Sequence, residues 1–267
     1  MAAMLVLSLE TPIPTVGFRE AGYRFTLHIG EYASSIAQYH TQFIRSAWYG
    51  VVVTASTLVV GYPAAYWIAF HSRRQKTTYL FLLLLPYFVS FVIRSLAWQF
   101  ILSDRGIVLR TLERVSLLGW HPVPAGFHIL STSWAVIAGI AYNALPFMVL
   151  PLYVSLEKID RAVVEAARDL YSSPREVFTK VIFPLSVPGI FAGVLLTFVP
   201  AVGDYINAEI LGGTNTTMIG NVIQRAYLND QNYPQASALS FVLMLGLVIG
   251  ILIYAKVLGT RQIEEYV

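Results

Sequence analysis

The sequence predicts an all-α, polytopic membrane fold, on three observations. Hydrophobic residues make up 56% of the 267 positions and charged residues only 12%, with a mean hydropathy of +0.62, which is more apolar surface than one water-soluble core can bury. Residues 48–70, 133–156, 181–202 and 236–255 carry no charge, and residues 79–102 are interrupted only by Arg94. At about 1.5 Å per residue each stretch reaches across a hydrocarbon core of about 30 Å. None alternates with period two, so helices rather than a closed barrel satisfy the backbone in lipid.

Taken in order, residues 1–9 are apolar but too short to span, and residues 10–45 read as a polar, extracytoplasmic segment. Residues 1–45 are expected to be the stub of a truncated first helix and its outer segment, with a mis-assigned start or a genuine short anchor as the alternatives for residues 1–9, followed by a transmembrane domain over 46–267 with five transmembrane helices. No basic n-region or small-residue cleavage site marks a signal peptide. Pro63, Pro86, Pro146, Pro151, Pro184, Pro188 and Pro200 fall inside the spans, where each removes a donor and bends or breaks a helix. Gly189 with Gly193, and Gly246 with Gly250, form G-x-x-x-G pairs that let backbones approach closely. Arg94 is expected to pair with a carboxylate, with Trp98 one turn later in position to stack on it.

The charged stretch at 157–180 breaks this apolar pattern. Glu165, Ala166, Ala167, Arg168, Asp169 and Leu170 are helix-compatible, and Ser172-Ser173-Pro174 supplies a cap and a proline to open a second short helix. Small alanines on an exposed face would let another protein approach, while charges of both signs would fix its register. The competing reading is a solvated helix. Lys and Arg counts set the orientation. The segments at 71–76, 157–180 and the C-terminal tail hold ten positive charges, against seven in the longer segments on the other side, so the former are expected to be cytoplasmic.

The run from Glu165 to Gly193 resembles the EAA loop of the permease subunits of binding-protein-dependent ABC transporters. That pattern is E-A-A, three residues, Gly, nine residues, then I-x-L-P; here it reads Glu165-Ala166-Ala167, Tyr171 in place of Gly, then Val181-Ile182-Phe183-Pro184. Gly61-Tyr62-Pro63, Arg94-Ser95-Leu96-Ala97-Trp98, Leu145-Pro146-Phe147, Gly203-Asp204-Tyr205 and Met218-Ile219-Gly220-Asn221 are similar to the spermidine/putrescine branch. The resemblance implies a type I importer permease in the bacterial plasma (inner) membrane with a cytoplasmic C-terminus. It implies that Glu165, Ala166, Ala167, Asp169, Tyr171 and Pro174 dock an ATPase dimer. A second permease subunit, an extracytoplasmic substrate-binding protein and membrane lipid are the other implied partners.

For the solute path, Asp204 and Glu209 lie just beyond the span that ends at Val202, with Tyr205 and Asn207 beside them. Carboxylates next to aromatic rings suit a polyamine, whose ammonium groups gain charge pairing and cation–π attraction. An ordinary acidic outer loop is the alternative. Tyr142 and Asn143, polar groups in mid-span, are secondary candidates. No Gly-Lys pair completes a phosphate-cradling loop, so ATP and Mg²⁺ are expected on the partner ATPase and no cofactor in this chain. No metal site is expected, because the five histidines are scattered, and no nucleic-acid stripe is present. Remaining alternatives are the same machine importing ferric iron or a phosphonate, a secondary carrier or channel, and a membrane enzyme.

Overall fold

The computed structural model describes residues 8–12, 23–25, 30–72, 74–116, 127–170 and 173–264. Two three-residue strands, β1 (Glu10–Pro12) and β2 (Tyr23–Phe25), pair antiparallel with Thr11 opposite Arg24. Everything else regular among the described residues is helical. By length and composition four helical segments can cross a membrane: Ser34–Phe70, Ser133–Glu157, Pro174–Val202 and Tyr233–Val257. A fifth crossing is available if the bent pair Lys76–Phe88 and Phe91–Leu112 counts as one.

Helix α1 (Gly30–Phe70) begins fifteen residues before Arg45, inside the segment expected to be polar and extracytoplasmic. Its first part is helical despite Ser34, Gln38, His40 and Thr41, and the backbone departs from helical geometry at Tyr39 (φ −111°, ψ 16°). The second departure from expectation is at residues 79–102. Helix α2 (Lys76–Leu84) runs into a 3₁₀ turn, Leu85–Phe88, then Val89 and Ser90 are extended, and α3 (Phe91–Leu102) leaves at 91°. Pro86 at the head of the turn supplies no N–H, and the Val89 N–H bonds back only to the Pro86 carbonyl at 3.2 Å, so the α-helical ladder lapses there.

Helix α4 (Ile107–Ser116) follows, then α5 (Ser133–Glu157), whose start is capped by the Thr132 hydroxyl accepting the Ala135 N–H at 3.3 Å. The short α6 (Arg161–Leu170) precedes α7 (Pro174–Val177). A five-residue π turn, Phe178–Ile182, then joins α7 to α8 (Phe183–Val202). Last come α9 (Ile206–Leu211), α10 (Ile219–Leu228) and α11 (Tyr233–Glu264).

The chain divides into two compact units. The larger comprises residues 48–201 and 210–216, the smaller residues 1–47, 202–209 and 217–267. In the larger unit the end of α1 (Ala65, Ala69), α5 (Met148, Val149, Leu152, Leu156), α6 (Val164, Ala167) and Val177 and Ile182 form one buried cluster. Tyr62, Tyr66, Phe70 and Phe178 pack against it, and Tyr62 Oη and Ser186 Oγ share a hydrogen bond of 2.9 Å. Gly189 and Gly193 let α8 lie directly on α5. A Cβ at Gly189 would sit 2.5 Å from Ser155 Cβ and 2.8 Å from the Pro151 carbonyl, and one at Gly193 would sit 2.7 Å from Met148 Sδ. Gly246 and Gly250 on α11 meet nothing within 4 Å.

Hydrogen bonds pin the ends of these elements. Lys76 Nζ donates to Glu157 at 2.6 Å, joining the start of α2 to the end of α5. Tyr49 Oη donates to Ser133 Oγ at 2.7 Å, and Gln99 Nε2 to the Ile210 carbonyl at 3.2 Å.

Candidate functional site

Two places concentrate polar chemistry, one in each unit. In the larger unit, α6 starts where Asp160 accepts the Ala162 N–H at 3.0 Å. Its 3.6-residue period turns Val164 and Ala167 inward, both 5% exposed, and leaves Glu165, Ala166, Arg168, Asp169 and Leu170 on the surface. This corrects the expectation that both alanines face outward: Ala166 does, whereas Ala167 lies in the core cluster beside Val164, one turn away on the same face. Tyr171 falls outside the described residues. Past it, the Ser173 hydroxyl accepts the Arg175 N–H at 3.3 Å and Pro174, exposed, takes the first helical position. Glu176 and Lys180 pair at 3.0 Å across one turn. A cavity of about 150 Å³ opens between the end of α1 and α6, lined by Tyr66, Phe70, His71, Arg161, Val164, Glu165 and Arg168. Glu165 forms no ion pair among the described residues although Arg161 and Arg168 flank it, so its carboxylate is available to a partner.

Arg94 departs from expectation. It is 8% exposed and has no carboxylate partner among the described residues. Its guanidinium lies 4.1 Å from the centre of the Tyr87 ring and 5.8 Å from that of Phe91. The cation is thus held by aromatic faces on both sides of the bend. Trp98 packs not on Arg94 but edge-to-face against Tyr142, with ring centroids 5.3 Å apart. Tyr142 therefore belongs to the α3–α5 contact in the larger unit, and Asn143, next to it on α5, is buried.

In the smaller unit the chain leaves α8 at Gly203 and turns on Asp204. Asp204 Oδ1 accepts the Asn207 N–H at 2.9 Å and Oδ2 accepts Asn207 Nδ2–H at 2.7 Å, which makes Asp204 the cap of α9. Asn207 is fully buried and Tyr205 is 42% exposed. Glu209 is exposed, and one of its oxygens accepts a hydrogen bond from Asn221 Nδ2 at 2.9 Å. The same amide donates to the Tyr205 carbonyl at 2.9 Å, while Asn221 Oδ1 accepts the Met218 N–H at 3.1 Å. Ser46 Oγ takes the Ile219 N–H at 2.8 Å and Arg45 holds the Thr217 carbonyl at 3.0 Å. A Cβ on Gly220 would stand 2.7 Å from the Gly203 carbonyl, so only glycine lets α10 sit on this turn.

Four of the residues assigned to the path, Asp204, Tyr205, Asn207 and Glu209, are therefore brought together. Asn221 is a fifth member that sequence reasoning passed over, although its Met-Ile-Gly-Asn setting was visible. Loss of hydration lifts the Asp204 carboxyl above the ordinary aspartate value, against the opposing pull of the Asn207 and Ile206 hydrogen bonds. The arrangement offers a cation two carboxylates of different character. Asp204 is half-buried with both oxygens engaged, and Glu209 is exposed with one oxygen held in place.

Spans that pack through glycine, an amphipathic helix exposed between two of them and a braced acidic turn together define a polytopic transport subunit. The chain belongs to the family of binding-protein-dependent transport system inner membrane components, whose profile matches residues 57–258. It is 35% identical over 245 residues to the spermidine/putrescine transport system permease protein PotB of Haemophilus influenzae, covering 91% of this chain and 84% of that protein. It is 36% identical over 228 residues to PotB of Escherichia coli, with 85% and 81% covered. A crystal structure of a bacterial ABC transporter involved in the import of the acidic polysaccharide alginate superposes with a TM-score of 0.70. It covers 97% of this chain and 89% of that one at 18% identity, a likeness of fold alone.

Proposed function

We propose that the chain is the permease subunit through which an ATP-driven importer moves a polyamine of the spermidine/putrescine class inward across the bacterial inner membrane. The observation that carries this reading is the 35% identity to a spermidine/putrescine permease over 91% of the chain. The acidic turn suits the cargo: Asp204 and Glu209 supply negative charge, and the half-exposed Tyr205 ring offers a face to an ammonium group. In this reading a partner ATPase dimer binds ATP and Mg²⁺ and grips α6 through Glu165, Ala166 and Asp169. A second permease subunit completes the pore, an extracytoplasmic binding protein delivers cargo, and the C-terminus is cytoplasmic. Labelled spermidine uptake into cells with the chain deleted and then restored tests the reading. Uptake should fall and recover with the chain and be blocked by excess putrescine; uptake independent of the chain would overturn the substrate assignment.

Asp204→Asn isolates the charge, because the Asn207 amide can turn to satisfy the new side chain and keep the α9 cap. The expected result is a severalfold rise in KM for a dication at unchanged amounts of assembled protein. An unchanged uptake rate at limiting substrate would remove Asp204 from the path. Protonation should mimic the substitution. Because burial raises the folded-state value, Asp204 loses its charge, as external pH falls, at a higher pH than a free aspartate does. Wild-type uptake should therefore weaken on acidification while the asparagine variant lacks that component. Stability runs the opposite way: the Asp204 contribution is fully present below the unfolded-state value and is lost as pH rises through the raised folded-state one.

A further inference from the structure

A second cavity of the larger unit opens on the other side of α6 from the one that Glu165 lines, with α6 but no lining residue in common. It is a groove of about 530 Å³ between α5, α8 and the corner that joins α5 to α6. Its walls are span residues: Pro151 and Val154 on one side, Leu185, Pro188 and Ala192 on the other. Gly189 forms the floor, where the missing Cβ brings α8 down onto Ser155 and the Pro151 carbonyl. The corner residues Lys158 and Asp160 line the end of the groove.

The charges at that corner are not equivalent. Glu157 is paired with Lys76 at 2.6 Å, and Asp160 accepts the Ala162 N–H at 3.0 Å, where the positive end of the α6 dipole offsets part of its charge. Lys158 is exposed and has no ion pair among the described residues. An apolar channel along two membrane spans therefore ends, where α5 ends, in one uncommitted cation. We propose that this groove binds an anionic phospholipid, an acyl chain lying along Val154, Leu185, Pro188 and Ala192 and the headgroup phosphate pairing with Lys158. The walls argue for lipid over protein, since they belong to segments whose solvent is the bilayer, and Lys158 argues for an anionic headgroup over a zwitterionic one. Val163 of α6 also lines the groove, so a bound lipid touches the helix assigned to ATPase docking. The groove itself is independent of which solute is carried.

The transporter complex, purified in detergent with its native lipids, would be measured by native mass spectrometry for retained phosphatidylglycerol and phosphatidylcholine after exchange with a mixture of the two. Lys158→Gln should lower phosphatidylglycerol retention about fivefold, the worth of one interfacial cation, without changing phosphatidylcholine. Val154→Trp, on a wall residue exposed enough to accept the ring, should fill the groove and lower retention of both. Arg74→Gln, an exposed cation that does not line the groove, is the control. Equal losses in the Lys158 and Arg74 variants would mean diffuse attraction rather than a site. Unchanged lipid in the Lys158 and Val154 variants, or loss of the ATPase with lipid retained, would overturn the proposal.

Discussion

Glu165→Arg is expected to leave the chain folded in the membrane and to strip the ATPase from it. Glu165 is exposed on α6 and forms no ion pair among the described residues, so little of the fold depends on its charge. The new guanidinium would stand between Arg161 and Arg168 on one helical face, turning a mixed surface into a basic one. Reversing a charge that pairs with a partner at a closed interface costs about 2–5 kcal/mol, enough to weaken association by tenfold or more. Co-purification of the ATPase with the tagged variant reads this directly. Normal recovery of the ATPase, with transport intact, would sink the docking role of Glu165. Ala166→Arg should act in the same direction by bulk, whereas Ala167→Arg should instead destabilise the chain, because Ala167 is buried in the core cluster.

Gly189→Val is expected to do the larger structural damage. Its Cβ would be placed 2.5 Å from Ser155 Cβ and 2.8 Å from the Pro151 carbonyl, and the second obstacle is main chain that cannot rotate aside. Overpacking of a well-packed contact costs about 1–3 kcal/mol, and a backbone obstacle puts this site at or beyond the upper end. The α5–α8 crossing would have to open, with loss of folded protein in detergent and a lower unfolding temperature. Gly246→Val is the matched control, since nothing lies within 4 Å of that position and the chain itself should tolerate it within about 0.5 kcal/mol. Equal thermal stability of the two variants would contradict the packing described for α8.

The two glycine pairs show how far the sequence could be read. Both are G-x-x-x-G on apolar helices, and nothing local separates the pair that packs on α5 from the pair that meets open space; the difference lies in which helix arrives opposite. The spans were legible because hydropathy is a property of composition. The bend at Phe88–Phe91 was not, since Pro86 announces a lapse in the ladder but not its angle. The polar first part of α1 reads, in the sequence, as a segment outside the membrane because Ser34, Gln38 and Thr41 dilute its hydropathy without breaking its helix. At the acidic turn, Asp204, Tyr205, Asn207 and Glu209 are close in sequence and were found together. Asn221, Ser46 and Arg45 reach the same region from 12 to 173 residues away, over distances that no local pattern records. The inward turn of Ala167 was available from helical period alone, two positions after the exposed Glu165.

The ion pair between Lys76 and Glu157 bears on how the bent pair is counted. A segment broken at a right angle either dips into the bilayer and returns or traverses it, and the two routes give the protein opposite parity from that point on. Helix α5 runs unbroken for 25 residues, so its ends lie on opposite faces of the bilayer. Glu157, at its last residue, meets Lys76, at the first residue of α2, while Ser133, at its first residue, meets Tyr49. The chain that leaves from Lys76 must therefore reach the far face before α5 can bring it back. Counted this way the broken helices make one traverse, the larger of the two totals that length and composition allow among the described residues.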